Sequence, residues 1–193
     1  MADLLKMDPA RIERLRDPAR LQLVNPQSVL RVVTPFGDGP IVDVGAGVGF
    51  VSLVFARRFS DVQIIACDVL PGMLEVLAQA AAEEDLRNVR TVLMASPTSL
   101  GLDDGVASML IMLQVHHELD DAAGLLRECR RVLAPGAPIV IIDWKDEDLP
   151  GMPKGGRRVA QSQIVQDLSA SGFADISCHE VYNVHSTVIG IAP

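Results

Sequence analysis

Short runs of β-branched and aliphatic residues recur along the chain at 41–45, 62–67, 90–95, 107–115 and 138–143. Helical patterns at about 49–59, 71–84 and 121–133 separate most of them. This alternation predicts parallel strand–helix–strand units, and thereby an α/β fold: a doubly wound, mostly parallel sheet with helices on both faces. A further helix at about 159–171 stops at Gly172, with Phe173 beyond it as an apolar clasp. Two last strands, about 175–182 and 185–192, are separated only by the Asn183 region, which predicts an antiparallel C-terminal hairpin. Ahead of the first strand, Asn25 and Pro26 suit the N-cap and first position of a helical lead-in. The 193 residues read as a single domain, with the lead-in over 1–36 and the α/β core over 37–193.

Composition removes several function classes. A formal net charge of -8 argues against nucleic-acid binding, which needs a basic stripe along the phosphate backbone. The densest positive cluster, KGGRR at 154–158, follows the acidic DEDLP and reads as an exposed loop. No apolar run approaches the roughly 18 residues of a membrane span, and the charged N-terminus lacks a secretory pattern, so the expectation is a soluble, cytoplasmic protein without membrane contact. Cys67, Cys129 and Cys178 are odd in number, far apart and set in apolar surroundings, which predicts buried thiols and no metal site.

The stretch IVDVGAGVGF, 41–50, places Gly45, Gly47 and Gly49 at alternate positions directly after a strand. Glycines in the first strand-to-helix turn let a ligand approach the backbone, and the following helix supplies N–H donors. A dinucleotide fingerprint requires G-x-G-x-x-G, whereas the third glycine here comes one residue early, which argues against a nicotinamide cofactor. Asp43, just before the turn, suits a ligand bearing a primary ammonium. Asp68, nineteen residues after Gly49 at the end of the second strand, suits the two hydroxyls of a ribose, or else a helix N-cap ahead of Pro71. Amino acid plus ribose points to S-adenosylmethionine.

Five segments, in order and spacing, carry a family resemblance: IVDVGAGVGFVSLVFA, ACDVLPGMLEVL, LRNVRTVLMAS, VHHELDDAAGLLRECRRVLAPGAPIVIIDWK and SASGF. Over roughly residues 17–192 the chain resembles a class I S-adenosylmethionine-dependent methyltransferase of the compact ubiquinone/menaquinone methylase kind. The resemblance implies a seven-stranded sheet of the Rossmann-like methyltransferase type, with its last two strands in a hairpin. It implies that Asp43, Gly45, Ala46, Gly47 and Gly49 face the methionine end of the cofactor and that Asp68 takes the ribose. Val69 and Met73 would border the adenine with Ser96 and Pro97 near its ring, and Leu113 and Gln114 would border the sulfonium. Two departures stand out. The loop after the third strand, Ala95 to Pro97, lacks the carboxylate many relatives place there, and Ser108 stands where relatives often carry an acid. The second change bears on stability more than chemistry, since that position lies at the far end of its strand.

Methyl transfer from a sulfonium needs alignment and exclusion of water more than catalytic side chains. When the acceptor must lose a proton, HHEL at 116–119 supplies a base: His117 matches a histidine common in relatives, with Glu118 after it. The same pair serves equally to order the loop and charge the first turn of the next helix. His116 occupies a usually apolar position on the acceptor side. Trp144 and Lys145, at the carboxyl end of the fifth strand, either line an acceptor pocket or cover the sheet edge. Arg20, in a lead-in that resembles one covering the cleft, either reaches an acidic acceptor or the cofactor carboxylate, or pairs with Asp17. The expected activity is methyl transfer to a small-molecule acceptor, the chain acting alone, as a homodimer or with a partner subunit. The alternative is a catalytically silent protein that binds S-adenosylmethionine.

Overall fold

The computed structural model describes residues 8–150, 152 and 155–193. Seven strands, β1 (Ile41–Val44), β2 (Ile64–Asp68), β3 (Val89–Leu93), β4 (Met109–Leu113), β5 (Pro138–Trp144), β6 (Ala174–His179) and β7 (His185–Ile191), form one sheet ordered β3-β2-β1-β4-β5-β7-β6. Strands β1 to β5 pair in parallel, and β7 runs antiparallel to both β5 and β6. This is the doubly wound sheet with a C-terminal hairpin that the sequence predicts. The order turns back between β1 and β4, so the crevice outside their carboxyl ends is where such a sheet takes a ligand.

Burial follows position in the sheet. Strands β1, β2 and β4 are buried throughout, as uninterrupted apolar runs covered on both faces must be. Edge strand β3 stays partly exposed. On one face, Leu125, Leu126 and Cys129 of α5 (Ala122–Val132) and Ile164 and Leu168 of α6 (Gln161–Ala170) pack on Val42, Leu110, Met112, Ile139 and Ile141. On the other, Phe55 and Ala56 of α3 (Ser52–Arg58) pack on Ile41, Met109, Ile111, Val140 and Ile142. The lead-in joins this second face through Val24 and Val29.

That lead-in consists of α1 (Pro9–Arg16), α2 (Arg20–Leu23) and a 3-10 turn over Pro26–Arg31. Asn25 caps the turn by accepting the Gln27 N–H at 3.0 Å, with Pro26 at the first position as expected. Residues 1–7 of the expected lead-in lie outside the described residues, as does Lys154 of the basic cluster; Gly155, Gly156 and Arg157 are exposed.

Several boundaries differ from expectation for identifiable reasons. Helix α3 begins at Ser52 and not near 49, because Gly45, Gly47 and Gly49 all have positive φ, +71°, +53° and +92°, which a right-handed helix excludes. The 107–115 run yields only 109–113 as strand. At its start the Ser108 hydroxyl donates to the carbonyls of Gly39 and Pro40 at 2.7 and 3.1 Å, and at its end Gln114 adopts φ +59°. Ser108 thus fastens the segment before β1 at the far end of the sheet. The hairpin connection spans 180–184, longer than expected, because Tyr182 and Val184 turn inward and are buried. Helix α5 is capped by Asp121, whose carboxylate accepts the Gly124 N–H. Gly172 ends α6 at φ +85°, and the Phe173 N–H returns to the Leu168 carbonyl while its ring enters the core. Cys67 and Cys129 are buried, but Cys178, expected to be, is exposed on strand β6.

Candidate functional site

The glycine turn joins β1 to α3 and bends around β2. Gly45 and Ala46 donate their N–H groups to the Cys67 carbonyl at 2.8 and 3.0 Å, and Gly47 donates to Asp68 Oδ2 at 2.8 Å. The other oxygen, Asp68 Oδ1, accepts from the Leu70 N–H at 2.9 Å just before α4 (Pro71–Glu83). The N-cap of α4 is Leu70 and not Asp68, whose side chain instead fixes the Leu70 N–H just ahead of the helix and holds its carboxylate beside the turn. Each oxygen keeps a second lone pair for a ligand hydroxyl.

The glycines are not equivalent. A methyl group on Gly45 would lie 2.5 Å from Val115 Cγ2, and one on Gly49 would lie 2.7 Å from Leu77 Cγ, so those two are small for packing. A methyl group on Gly47 would meet nothing within 4 Å. The space above Gly47 is the cradle that a bound molecule would fill.

Asp43 is 2 % exposed, and its Oδ2 accepts from both the Ser52 N–H (3.0 Å) and the Ser52 hydroxyl (2.6 Å). Burial pushes its carboxyl up to about 7, against the two Ser52 hydrogen bonds, and the negative Asp68 nearby adds to the rise. A carboxylate in this position gains from a positive charge in the crevice. Together with the Gly47 space and the Asp68 oxygens, it fits a ligand that is cationic at one end and carries a diol at the other.

The opposite half of the site lies at the tips of β4 and β5. The buried Asp143 carboxylate, 0 % exposed, accepts three N–H groups: the His117 backbone at 3.0 Å, the Trp144 backbone at 2.7 Å and His117 Nδ1 at 2.6 Å. Since Asp143 accepts, Nδ1 carries the proton and Nε2 is the basic nitrogen. Glu118 Oε1 lies 3.4 Å from Nε2. The largest single influence on the ring, burial, lowers its pKa, but Asp143 and Glu118 together outweigh it, and the net direction is upward. This is the arrangement of an oriented base whose protonated form is stabilised.

The two adjacent histidines diverge. His116, expected on the acceptor side, is 3 % exposed and bonds Asp167 of α6 at 2.9 Å, because the 3-10 turn over His116–Glu118 points consecutive rings in different directions. Lys145 extends to Glu180 at 3.0 Å, beside the hairpin. Trp144 packs its ring against His185 of β7, centroids 4.2 Å apart. Arg20 makes no pair with Asp17, which caps Ala19; it reaches Gln114 Oε1 at 2.9 Å and lies over the Phe50 ring. Near the expected adenine position Val69 is 38 % exposed, whereas Met73 is 2 % exposed on the inner face of α4 with Leu74 and Leu77. The Ser96 hydroxyl serves its own turn, 3.3 Å from the Thr98 N–H. Leu113 is 8 % exposed at the end of β4.

Three contributors escaped sequence reasoning. Ser52 stands nine residues after Asp43, one helical start beyond the turn, and its position there was legible; its bond was not. Asp143, closing the PIVIID run, reads as a strand-end or pocket-polar group and not as a base, and only the fold brings it to His117. His185 carries no sequence signal at all. Among the described residues no group of three metal-ligating side chains converges, and no helix is long and apolar enough to cross a membrane.

Residues 42–141 match the model of the methyltransferase domain family. The chain belongs to that family, whose members depend on S-adenosylmethionine. A SAM-dependent methyltransferase from Aquifex aeolicus superposes with a TM-score of 0.88 at 26 % identity, over 97 % of this chain and all of that one. Demethylmenaquinone methyltransferase of Clavibacter sepedonicus is 32 % identical over 65 % of this chain and 49 % of its own length. Ajmaline N-methyltransferase of Rauvolfia serpentina is 26 % identical over 56 % of this chain and 37 % of its own. The chain spans about half or less of these curated relatives' lengths.

Proposed function

We propose that the chain transfers the methyl group of S-adenosylmethionine to a small acceptor held above the tips of β4 and β5. The observation that carries this reading is the His117–Asp143 pair, 2.6 Å apart, standing across the switch point from the Asp43–Asp68 crevice. The cofactor would supply an electrophilic methyl on a sulfonium. Asp43 and the turn residues Gly45, Ala46, Gly47 and Gly49 would receive its amino-acid end, Asp68 its ribose, and Val69, Ser96 and Pro97 the adenine. Leu113 and Gln114 would border the sulfur, with Trp144 on the acceptor side.

His117 Nε2 then takes the proton from an acceptor hydroxyl as its oxygen gains the methyl, or from an acceptor ammonium before its freed lone pair attacks the methyl, and Glu118 stabilises the resulting imidazolium. Asp143 keeps the ring in the tautomer with Nε2 free and is not itself a base. Two relatives support a small acceptor by their names, demethylmenaquinone methyltransferase and ajmaline N-methyltransferase. Their own acceptors are not assigned to this chain.

The test is calorimetry with S-adenosylhomocysteine, followed by transfer of labelled methyl to a panel of small hydroxyl and amine acceptors. Tight binding with turnover lost in His117→Ala supports the reading. Binding with no turnover on any acceptor, and no group titrating at His117, supports a silent cofactor-binding protein. Absence of binding overturns both.

A further inference from the structure

We propose that His185 is a positioning residue for the amino-acid end of the cofactor. Its ring holds the Gln114 side chain, and Gln114 holds the Arg20 guanidinium, so that the C-terminal hairpin fastens the lead-in over the β4 tip. The inference rests on the reading above that the crevice takes S-adenosylmethionine.

The hydrogen positions follow from the partners. Arg20 donates and never accepts, so the Gln114 atom it meets at 2.9 Å is the oxygen, Oε1. The Gln114 atom facing His185 Nε2 at 2.8 Å is therefore the NH2 group, a donor. His185 Nε2 must then accept, which makes the ring neutral with its proton on Nδ1. Protonating Nε2 would set two donors against each other and break the chain at its root.

The surroundings agree. His185 is 0 % exposed between the Trp144 ring at 4.2 Å and the Tyr182 ring at 6.1 Å. Burial pushes its pKa down to about 4; Arg20 and Lys145 act in the same direction and only Asp143 opposes them. Its Nδ1 is buried with no partner among the described residues, so Nε2 makes the ring's one hydrogen bond there. Gln114 sits at φ +59°, an uncommon conformation for a non-glycine residue, which aims its side chain from the end of β4 toward both partners. A second contact runs in parallel: the Tyr182 hydroxyl donates to the Asn25 carbonyl at 2.8 Å, so the segment 182–185 holds the lead-in at two points.

Arg20 gives the relay its purpose. It meets the Leu15 carbonyl and Gln114 Oε1 and lies 4.1 Å from the centroid of Phe50, which follows the glycine turn. No carboxylate pairs with it among the described residues, and burial lowers its pKa, as expected of a cation without an anion beside it. Its remaining N–H groups suit a carboxylate. That chemistry belongs to the cofactor's amino-acid end or to an acidic acceptor, and the two are separable.

His185→Phe keeps a flat ring between Trp144 and Tyr182 but removes the acceptor nitrogen, whereas His185→Gln offers an amide oxygen in its place. We expect His185→Phe to weaken S-adenosylhomocysteine about tenfold by calorimetry, the scale of one lost hydrogen bond to a charged group. S-methyl-5'-thioadenosine, which has the nucleoside and sulfur but no amino acid, should bind unchanged, and His185→Gln should recover most of the loss. Arg20→Met should cost about the same, and the double variant no more than either alone, because one chain is cut twice. Unchanged S-adenosylhomocysteine binding in His185→Phe overturns the proposal, as do equal losses for both compounds or losses that multiply. Binding of S-adenosylhomocysteine left intact throughout, with KM raised only for acidic acceptors, would move the carboxylate to the acceptor and overturn the cofactor assignment.

The wild-type protein gives an independent reading without any variant. Trp144 is the single tryptophan, and a protonated imidazole against it quenches its emission. Emission should stay constant from pH 8 down to about 5 for a ring held neutral. A transition centred between pH 6 and 7 that His185→Gln abolishes would overturn the proposal. Failure of the wild-type protein to bind either nucleoside would instead sink the cofactor reading itself.

Discussion

Around the glycine turn the contacts that shape the crevice span from two to 22 residues of sequence, while those between elements at the tips of β4 and β5 span from 26 to 94. Asp68 caps a residue two positions on, Asp43 holds a serine nine positions on, and Gly47 reaches Asp68 across 21. On the other side His117 meets Asp143 across 26 residues, Gln114 meets His185 across 71 and Arg20 across 94. The first half is backbone geometry that a short peptide pattern encodes. The second is an assembly of side chains from the lead-in, two loops and the hairpin, and it has the freedom to differ with the acceptor.

If that division holds, damage to the first half should abolish cofactor binding, damage to the His117–Asp143 pair should spare it, and damage to the Arg20–Gln114–His185 chain should fall between. Asp68→Ala should have the largest effect, weakening S-adenosylhomocysteine about a hundredfold or more by calorimetry, because it would remove the proposed ribose bonds along with the anchors on Gly47 and Leu70. His117→Ala and Asp143→Asn should each lower kcat by about a hundredfold with little change in that affinity. Equal loss of affinity in both halves would erase the contrast. Asp143→Asn should also move the acid limb of the pH–rate profile to lower pH, since a neutral amide no longer holds the His117 pKa up.

Within the glycine turn the comparison can be sharpened. Gly45→Ala meets Val115 and should cost about 2–3 kcal/mol of stability in denaturant titration. Gly47→Ala meets no atom and should cost only the left-handed backbone penalty, about 1–2 kcal/mol, yet lose cofactor binding because its methyl enters the ligand's space. Intact binding in Gly47→Ala would remove the cradle.

Asp43 offers a test with a sign. Its folded pKa is raised above the unfolded value of 3.8 to about 7, so the folded state binds more protons across that window. The free protein should therefore lose stability from this group as pH rises from about 4 to 7, while S-adenosylhomocysteine binding should strengthen as the carboxylate ionises. Asp43→Asn should flatten both trends in thermal unfolding and calorimetry. His117 runs the same way: its raised pKa gives stability that is present below about 6.5 and lost as pH rises through the folded value. The smallest effect belongs to Ser108→Ala, about 1 kcal/mol with cofactor affinity unchanged, because it frees only the Gly39 carbonyl at the far end of β4 while Pro40 keeps the backbone N–H of residue 108.

The legible residues were those whose role is local. Periodicity placed every strand, and the glycine spacing placed the turn between β1 and α3 with Asp43 before it and Asp68 at the end of β2. His117 was legible as a candidate but its tautomer was not, because that depends on an acid from another strand. His116 and Lys145 read as plausible acceptor-side groups by position along the chain and are drawn off to Asp167 and Glu180, partners that position cannot reveal. Met73 lies on the buried face of α4 with Leu74, Leu77, Ala80 and Ala81.

The order of apolar runs and glycines by itself determined that this chain makes a wound parallel sheet with a ligand-ready turn at its switch point. Those features arise from backbone sterics and nearest-neighbour hydrogen bonds. Which polar groups share the space beyond the β4 and β5 tips, and in which protonation state, was decided only when the sheet closed. Hydrogen-bond partners and burial depend on distances that no local pattern contains.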